Sequence, residues 1–159
     1  MRIEIDESSI IKANSQFWEQ MLAMRLDPLP RLEQFCIESG HVLGMVSLSG
    51  AWNGRVEIRM EEGLTRQATA AMLMQPLESV AEADALDAIR EIANMIAGVI
   101  KSSLPRPCAM TVPKAAVELE QFCGQMRSDH SVSVVFHHTF GTMVVRVQML
   151  EAIGPDPMG

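Results

Sequence analysis

The stretch DALDAIREIANMIAGVIKSSL, from Asp84 to Leu104, constrains the fold more than any other part of the chain. Read at the period of an α-helix, Leu86, Ile89, Ala93, Ile96 and Ile100, with Ile92 and Val99 beside them, fall on one side and predict a core-facing band. Asp84, Asp87, Glu91, Asn94, Gly98 and Lys101 recur at steps of three and four and make a polar stripe on the other side. The helix is two-faced, and its polar face is unusual. Asn94 is a poor helix residue because its short amide competes with the backbone, and Gly98 costs roughly 1 kcal/mol relative to alanine.

The flanking segments supply a sheet for this helix to cover. HVLGMVSLSGAWNGRVEIRME, from His41 to Glu61, reads as a β-hairpin whose strand-like runs meet at WNG, where the Asn53-Gly54 pair would accept the positive φ of a tight turn. VSVVFHHTFGTMVVRVQMLEA reads as a second hairpin turning at Gly141. A short strand in RIEID precedes Asp6, which can cap a helix from about Ser8 to Arg25 with Ile10, Phe17, Trp18, Met21 and Leu22 on its apolar face; DPLPR then ends it. A further helix runs from about Leu64 to Met74, before Pro76. CAMTVPKAAVELEQF is read as a short strand or loop through Pro113 and a brief extended or helical stretch after it. The order strand, helix, hairpin, helix, helix, hairpin has no βαβ alternation and no repeat. It predicts an α+β two-layer sandwich, a mostly antiparallel sheet covered by helices, in one domain over residues 1–152 with a flexible tail at 153–159.

Composition narrows the function. A chain of 159 residues that is 48% apolar can bury one core. A net charge of −7 with no run of Lys or Arg argues against a nucleic-acid or acidic-membrane partner. The N-terminus lacks the apolar core of a signal peptide, and IANMIAGVI is about half of the ~20 residues a membrane span needs, so a cytoplasmic protein is expected. Cys36, Cys108 and Cys123 are odd in number and lack CxxC spacing, which predicts buried or incidental thiols and neither a disulfide framework nor a zinc site. Thirteen methionines and no tyrosine suggest a core filled with thioethers. Phosphate-binding glycine loops, the nucleophile elbow and the zinc-protease motif are absent. His137 and His138, adjacent in a strand, point to opposite faces and cannot easily share a metal, while His41 and His130 have no partner identifiable in sequence.

The stripe itself admits two readings. It is either a solvated face with Glu91 near Lys101 as ordinary surface charge, or a working surface. A carboxylate and a carboxamide one turn apart on a rigid helix could be inserted into another protein's active site. The amide would fix a water's direction, and the carboxylate would grip a cationic side chain.

At these residues the chain resembles the CheC and CheX type phosphatases of bacterial chemotaxis, whose pattern is Asp or Ser, three residues, Glu, two residues, Asn on one helix. Asp87, Glu91 and Asn94 match that spacing, and MIAG, Lys101 and the stretch GMVSLSGAWNGRVEIRMEEGLTRQATAAML also look like the CheX helix and the hairpin before it. The pair occurs once in this chain, as in CheX, whereas CheC proteins commonly carry it on two helices. The family's proline follows its Asn at a longer interval than separates Asn94 from Pro113. The resemblance implies removal of the acyl phosphate from a CheY-like response regulator. In it, Asn94 would orient the attacking water, Glu91 would pair with the regulator's lysine, and Asp87, Gly98 and Lys101 would contact the partner or support the pair. It further implies that no cofactor is bound by this chain, that Mg2+ belongs to the regulator, and that the protein is a homodimer. Two rivals are a module that docks on a regulator without hydrolysis and an adaptor of the flagellar switch.

Overall fold

The structure, a computed structural model, describes residues 4–29 and 32–150. The expected tail and the first two residues of the expected RIEID strand lie outside the described residues; the other three, Glu4 to Asp6, form no strand, so that expectation fails where it can be followed. Three α-helices and nine strands follow: α1 Glu7–Leu22, β1 Asp27–Pro28, β2 Gln34–Ile37, β3 His41–Gly50, β4 Gly54–Met60, α2 Glu62–Leu73, α3 Glu82–Lys101, β5 Cys108–Met110, β6 Lys114–Glu118, β7 Phe122–Gln125, β8 Ser131–His138 and β9 Gly141–Met149. A 3-10 turn at Leu77–Ser79 joins α2 to α3. Seven strands form one sheet in the order β1-β8-β9-β4-β3-β5, with β6 also on β3, and every described pairing in it is antiparallel. The α+β class predicted from sequence is the class observed.

Local chemistry sets the element ends. Asp6 Oδ1 accepts from the Ser9 amide at 3.1 Å, satisfying one free N–H at the start of α1. The helix stops at Leu22, three residues before the predicted end, because Ala23 turns left-handed and the Met24 amide donates back to Trp18 O at 2.9 Å. Met21, expected on the apolar face, is instead 60% exposed. In the first hairpin the positive φ falls on Gly50 rather than on the Asn53-Gly54 pair. Asn53 acts through its side chain, accepting from the Gly50 amide and donating to Gly50 O, both at 3.2 Å. The stretch after α3 resolves into β5 and β6, which lie end to end along β3.

The inner face of the sheet, with Val46, Val56, Ile58, Val134, Val145 and Val147, packs against Ile10, Phe17 and Trp18 of α1, Leu64 of α2 and Ile89, Ile92 and Ile96 of α3. Each such fully buried side chain contributes roughly 1.5–3 kcal/mol before conformational entropy is charged. α3 comes close to the sheet at Gly44 of β3, where an added Cβ would lie 2.9 Å from Ile89 Cγ1 and 3.0 Å from Ile89 O. This glycine lets α3 rest on the sheet.

The outer face of the sheet is covered as well, by a separate two-stranded ribbon of β2 and β7. Phe35, with Phe122 and Met126, packs on Val135 and Val144. The expectation of three free thiols fails here, since Cys36 opposes Cys123 in the ribbon and the two form a disulfide across 87 residues of sequence. Their Cα atoms are 4.1 Å apart, the spacing of a narrow antiparallel pair, and no local sequence pattern could announce it. Cys108 is the buried free cysteine.

His41, which had no partner in sequence, has two in the structure. Its Nδ1 lies 2.7 Å from Glu38 O and its Nε2 2.8 Å from Arg59 Nη1. A carbonyl and a guanidinium are both satisfied only when the ring is neutral, donating from Nδ1 and accepting at Nε2. Burial lowers the His41 pKa below its ordinary 6.5 and Arg59 adds to this, against the Glu38 carbonyl and the charges of Glu118 and Glu61. The folded state therefore binds fewer protons than the unfolded chain as pH falls below about 6.5. Stability present above that pH is expected to be lost toward the lowered native value, and thermal melts from pH 8 to pH 5 should show a slope that His41→Gln removes.

Candidate functional site

α3 presents the polar stripe because its opposite side is consumed by the core. Ala85, Ala88, Ile89, Ile92, Ala93, Ile96, Ala97 and Ile100 are buried, while Asp87, Glu91, Asn94 and Gly98 are exposed and Asp84 and Lys101 are partly exposed. Val99, expected beside the core band, is 37% exposed instead, on the shoulder of the stripe next to Gly98. Leu86 is partly buried against the core.

The six stripe residues do different things. Asp84 Oδ2 accepts from the Ala81 amide at 3.1 Å and so caps the start of α3, where its charge also suits the helix dipole. Asp87 Oδ1 accepts from Arg90 Nη1 at 2.6 Å, an exposed pair one turn long. That i,i+3 spacing was visible in sequence, although Arg90 was not singled out as its partner. Among the described residues, neither Glu91 nor Asn94 has a side-chain partner. Lys101 stands about 15 Å farther along the axis than Glu91, so the two are not near each other as the solvated-face reading had them. Glu91 and Asn94 are neighbours on one face, with Cβ atoms about 5–6 Å apart by helix geometry.

This pair is open to solvent. A cavity of about 300 Å³ lies between α2, the start of α3 and the β3–β6 edge, lined by Val42, Thr65, Arg66, Ala85 and Val117, and it reaches neither residue. Among the described residues no cluster of His, Cys, Asp and Glu could hold a metal ion. A carboxylate and an amide with no surrounding walls can orient groups only when another surface closes over them.

Gly98 fits such an approach. A Cβ there would meet nothing within 4 Å, so no contact inside this chain requires the glycine. Gly98→Ala is therefore expected to stabilise the fold by about 0.5–1 kcal/mol, read as a higher midpoint in urea with unchanged m value. A loss of stability would mean that the backbone at Gly98 is constrained in a way the packing does not reveal.

The same architecture occurs in solved structures. A CheX chemotaxis protein from Vibrio vulnificus is 19% identical, with 89% of this chain and 94% of that chain covered at a TM-score of 0.71. A CheC-like superfamily protein from Shewanella sp. PV-4 is 20% identical, with the same coverage and a TM-score of 0.69. A chain of a CheX-CheY-BeF3-Mg complex from Borrelia burgdorferi is 14% identical over 89% of this chain and 96% of that one, at a TM-score of 0.64. At these identities the likeness speaks for the fold. No curated protein matches the chain. The family model described as chemotaxis phosphatase CheX matches residues 42–137, more than half of the sequence and inclusive of all of α3. By that match the chain belongs to the chemotaxis phosphatase CheX family.

Proposed function

We propose that the protein is a phosphatase of a phosphorylated CheY-like response regulator in chemotaxis or related two-component signalling, working in the cytoplasm. The observation that carries this reading is the Glu91 and Asn94 pair, exposed, unpartnered and one turn apart on a helix fixed by its buried side. Docked on the regulator, the Asn94 amide accepts from and donates to a water and aims it in line with the aspartyl phosphate. The Glu91 carboxylate takes the regulator's lysine and sets the depth of insertion. Water oxygen bonds to phosphorus, the bond to the aspartyl oxygen breaks, and the aspartate leaves as carboxylate with inorganic phosphate as product. Such a transfer asks for little covalent chemistry from the enzyme and much positioning, which suits a site with no nucleophile. The magnesium is the regulator's, and this chain needs none of its own.

Asp87, Gly98 and Lys101 complete the contact surface in this reading. Arg90 holds Asp87 aside, Gly98 leaves room for the partner's backbone, and Lys101 meets acidic groups at the rim. The protein would act as a homodimer through a sheet edge. The β5–β6 edge, flanked by Val112 and Leu119 at 82% and 81% exposure, is suited to that pairing. Support for the partner comes from the family and from the Borrelia burgdorferi complex, which contains CheX and CheY together.

The test follows acyl phosphate on a CheY-like regulator with and without the protein. Faster decay supports the reading; an unchanged decay rate for every cognate regulator, with the fold intact, would overturn it. Glu91→Gln is expected to raise KM about tenfold with a smaller change in kcat, because it removes a charge pair made on docking.

A further inference from the structure

The ribbon over the outer face is a continuation of the main sheet bent back on itself. His41 opposes Glu118 in the β3–β6 ladder, and Ile37 opposes Phe122 in the β2–β7 ladder, so the two ladders share one register. Between them the chain folds at Gly40, whose φ of +85° glycine tolerates and whose amide donates to Glu118 O at 2.7 Å. Among the described residues the ribbon shares no ladder with the strands beneath it, although just past β7 Arg127 makes an isolated bridge to Val132 of β8. Its backbone tie to β8 runs through Met126 O, which accepts from the Ser133 amide at 2.7 Å.

What it covers is charged. Arg55, Arg59 and Arg146 lie on this face of β4 and β9 with Glu57, and Arg55 Nε reaches Glu57 Oε1 at 2.9 Å. Arg59 is 5% exposed, and the Nε atoms of Arg59 and Arg146 and Oε2 of Glu57 are buried without a hydrogen-bond partner among the described residues. Phe122 of the ribbon lies over Arg59 at 3.7 Å and over Arg146 at 5.7 Å. Burial pushes both guanidinium pKa values down, so the cover holds these charges at a cost. In a chain of net charge −7 such a cationic strip is out of keeping with the rest of the surface.

The ribbon's two sides complete the arrangement. Phe35 and Ile37 point inward and are buried, whereas Cys36 and Cys123 point outward and are exposed. We propose that Cys36 and Cys123 form a dithiol-exchange site that fastens the ribbon over the arginine face, and that a dithiol reductant releases the ribbon and uncovers the guanidiniums. A thiolate of the reductant attacks one exposed sulfur to give a mixed disulfide, and its second thiol displaces the protein sulfur. Two electrons and two protons pass to the protein, leaving two cysteine thiols and the oxidised reductant. Three features favour opening once the bond is cut. The constraint across 87 residues is lifted, a two-stranded ribbon of four residue pairs is marginal alone, and the unpartnered Nε donors regain water.

This inference stands apart from the phosphatase reading, because it concerns the opposite face of the sheet. The full chain, oxidised, reduced with dithiothreitol, and as the Cys36→Ser/Cys123→Ser variant, would be followed by hydrogen exchange and by phenylglyoxal modification of arginine, both read by mass spectrometry. Reduction and the variant are expected to speed exchange in residues 34–37 and 122–125 by roughly tenfold or more, to leave α3 unchanged, and to make Arg59 and Arg146 reactive. Unchanged ribbon exchange with Arg59 still protected would overturn the proposal, since packing alone would then hold the cover. Acceleration across the whole fold would overturn it too, by making the cystine a staple of the domain. So would an oxidised protein in which both thiols remain free.

Discussion

Asn94→Ala is expected to slow loss of the acyl phosphate by about 100-fold or more relative to wild type, the scale seen when one transition-state hydrogen-bonding group is removed. It is also expected to raise thermal stability slightly. Asn94 is exposed, makes no side-chain hydrogen bond among the described residues and sits in the interior of α3, where alanine is better by up to about 0.7 kcal/mol. The two signs together are diagnostic. A surface residue with no task would give a small gain in stability and no change in turnover, and a structural residue would lose both. Only a residue kept for its chemistry gives loss of rate with gain of fold. The measurement pairs the decay assay with a melting curve on the same preparation, and binding to the regulator is followed separately. If the variant binds but wild type adds no turnover, the surface is a docking module and the phosphatase reading falls.

The stripe was legible because it is local. Glu91 and Asn94 are three residues apart, and the helix period alone places them together, as it places Ile89, Ile92 and Ile96 in the core. The hairpins β3–β4 and β8–β9 were visible for the same reason, each being a contiguous pair of strand-like runs around a turn. What escaped was non-local or hung on a single torsion. Cys36 meets Cys123 only because a ladder begun by His41 and Glu118 continues past a bend, and the odd count of cysteines argued the other way. His41 finds Arg59 across the sheet. Val99 turned out exposed because the apolar band on α3 is narrower near its C-terminal end than the run of aliphatic residues suggests. The hairpin's positive φ moved to Gly50 because Asn53 clamps that glycine through its amide, leaving a loop longer than the two-residue turn expected.

Position of the pair depends on a residue that has no chemistry of its own. Gly44→Val is expected to destabilise the protein by about 2–3 kcal/mol, the upper part of the range of roughly 1–3 kcal/mol for overpacking a filled core. For a chain of this length that is about 5–10 °C in Tm. Two effects oppose each other here. Valine suits a strand better than glycine by up to about 1 kcal/mol, but its Cβ must occupy space 2.9 Å from Ile89 Cγ1, 3.0 Å from Ile89 O and 3.2 Å from Ala93 Cβ. The first of these is a side-chain atom that another rotamer could move, yet the second is backbone, and the clash with it is relieved only by lifting α3 off the sheet. Ile89 and Ala93 bracket Glu91 and lie beside Asn94, so the lift displaces the pair itself. The rate of dephosphorylation should therefore fall with stability, at temperatures where the variant is still folded. Ile89→Ala deletes the obstructing Cγ1 and so removes part of the obstruction. Combined with Gly44→Ala, it should cost less than the sum of the two single changes, with a coupling of about 0.5–3 kcal/mol. Strict additivity, or a Gly44→Val protein as stable and active as wild type, would mean that α3 is not seated on β3 at Gly44 as closely as the contacts require.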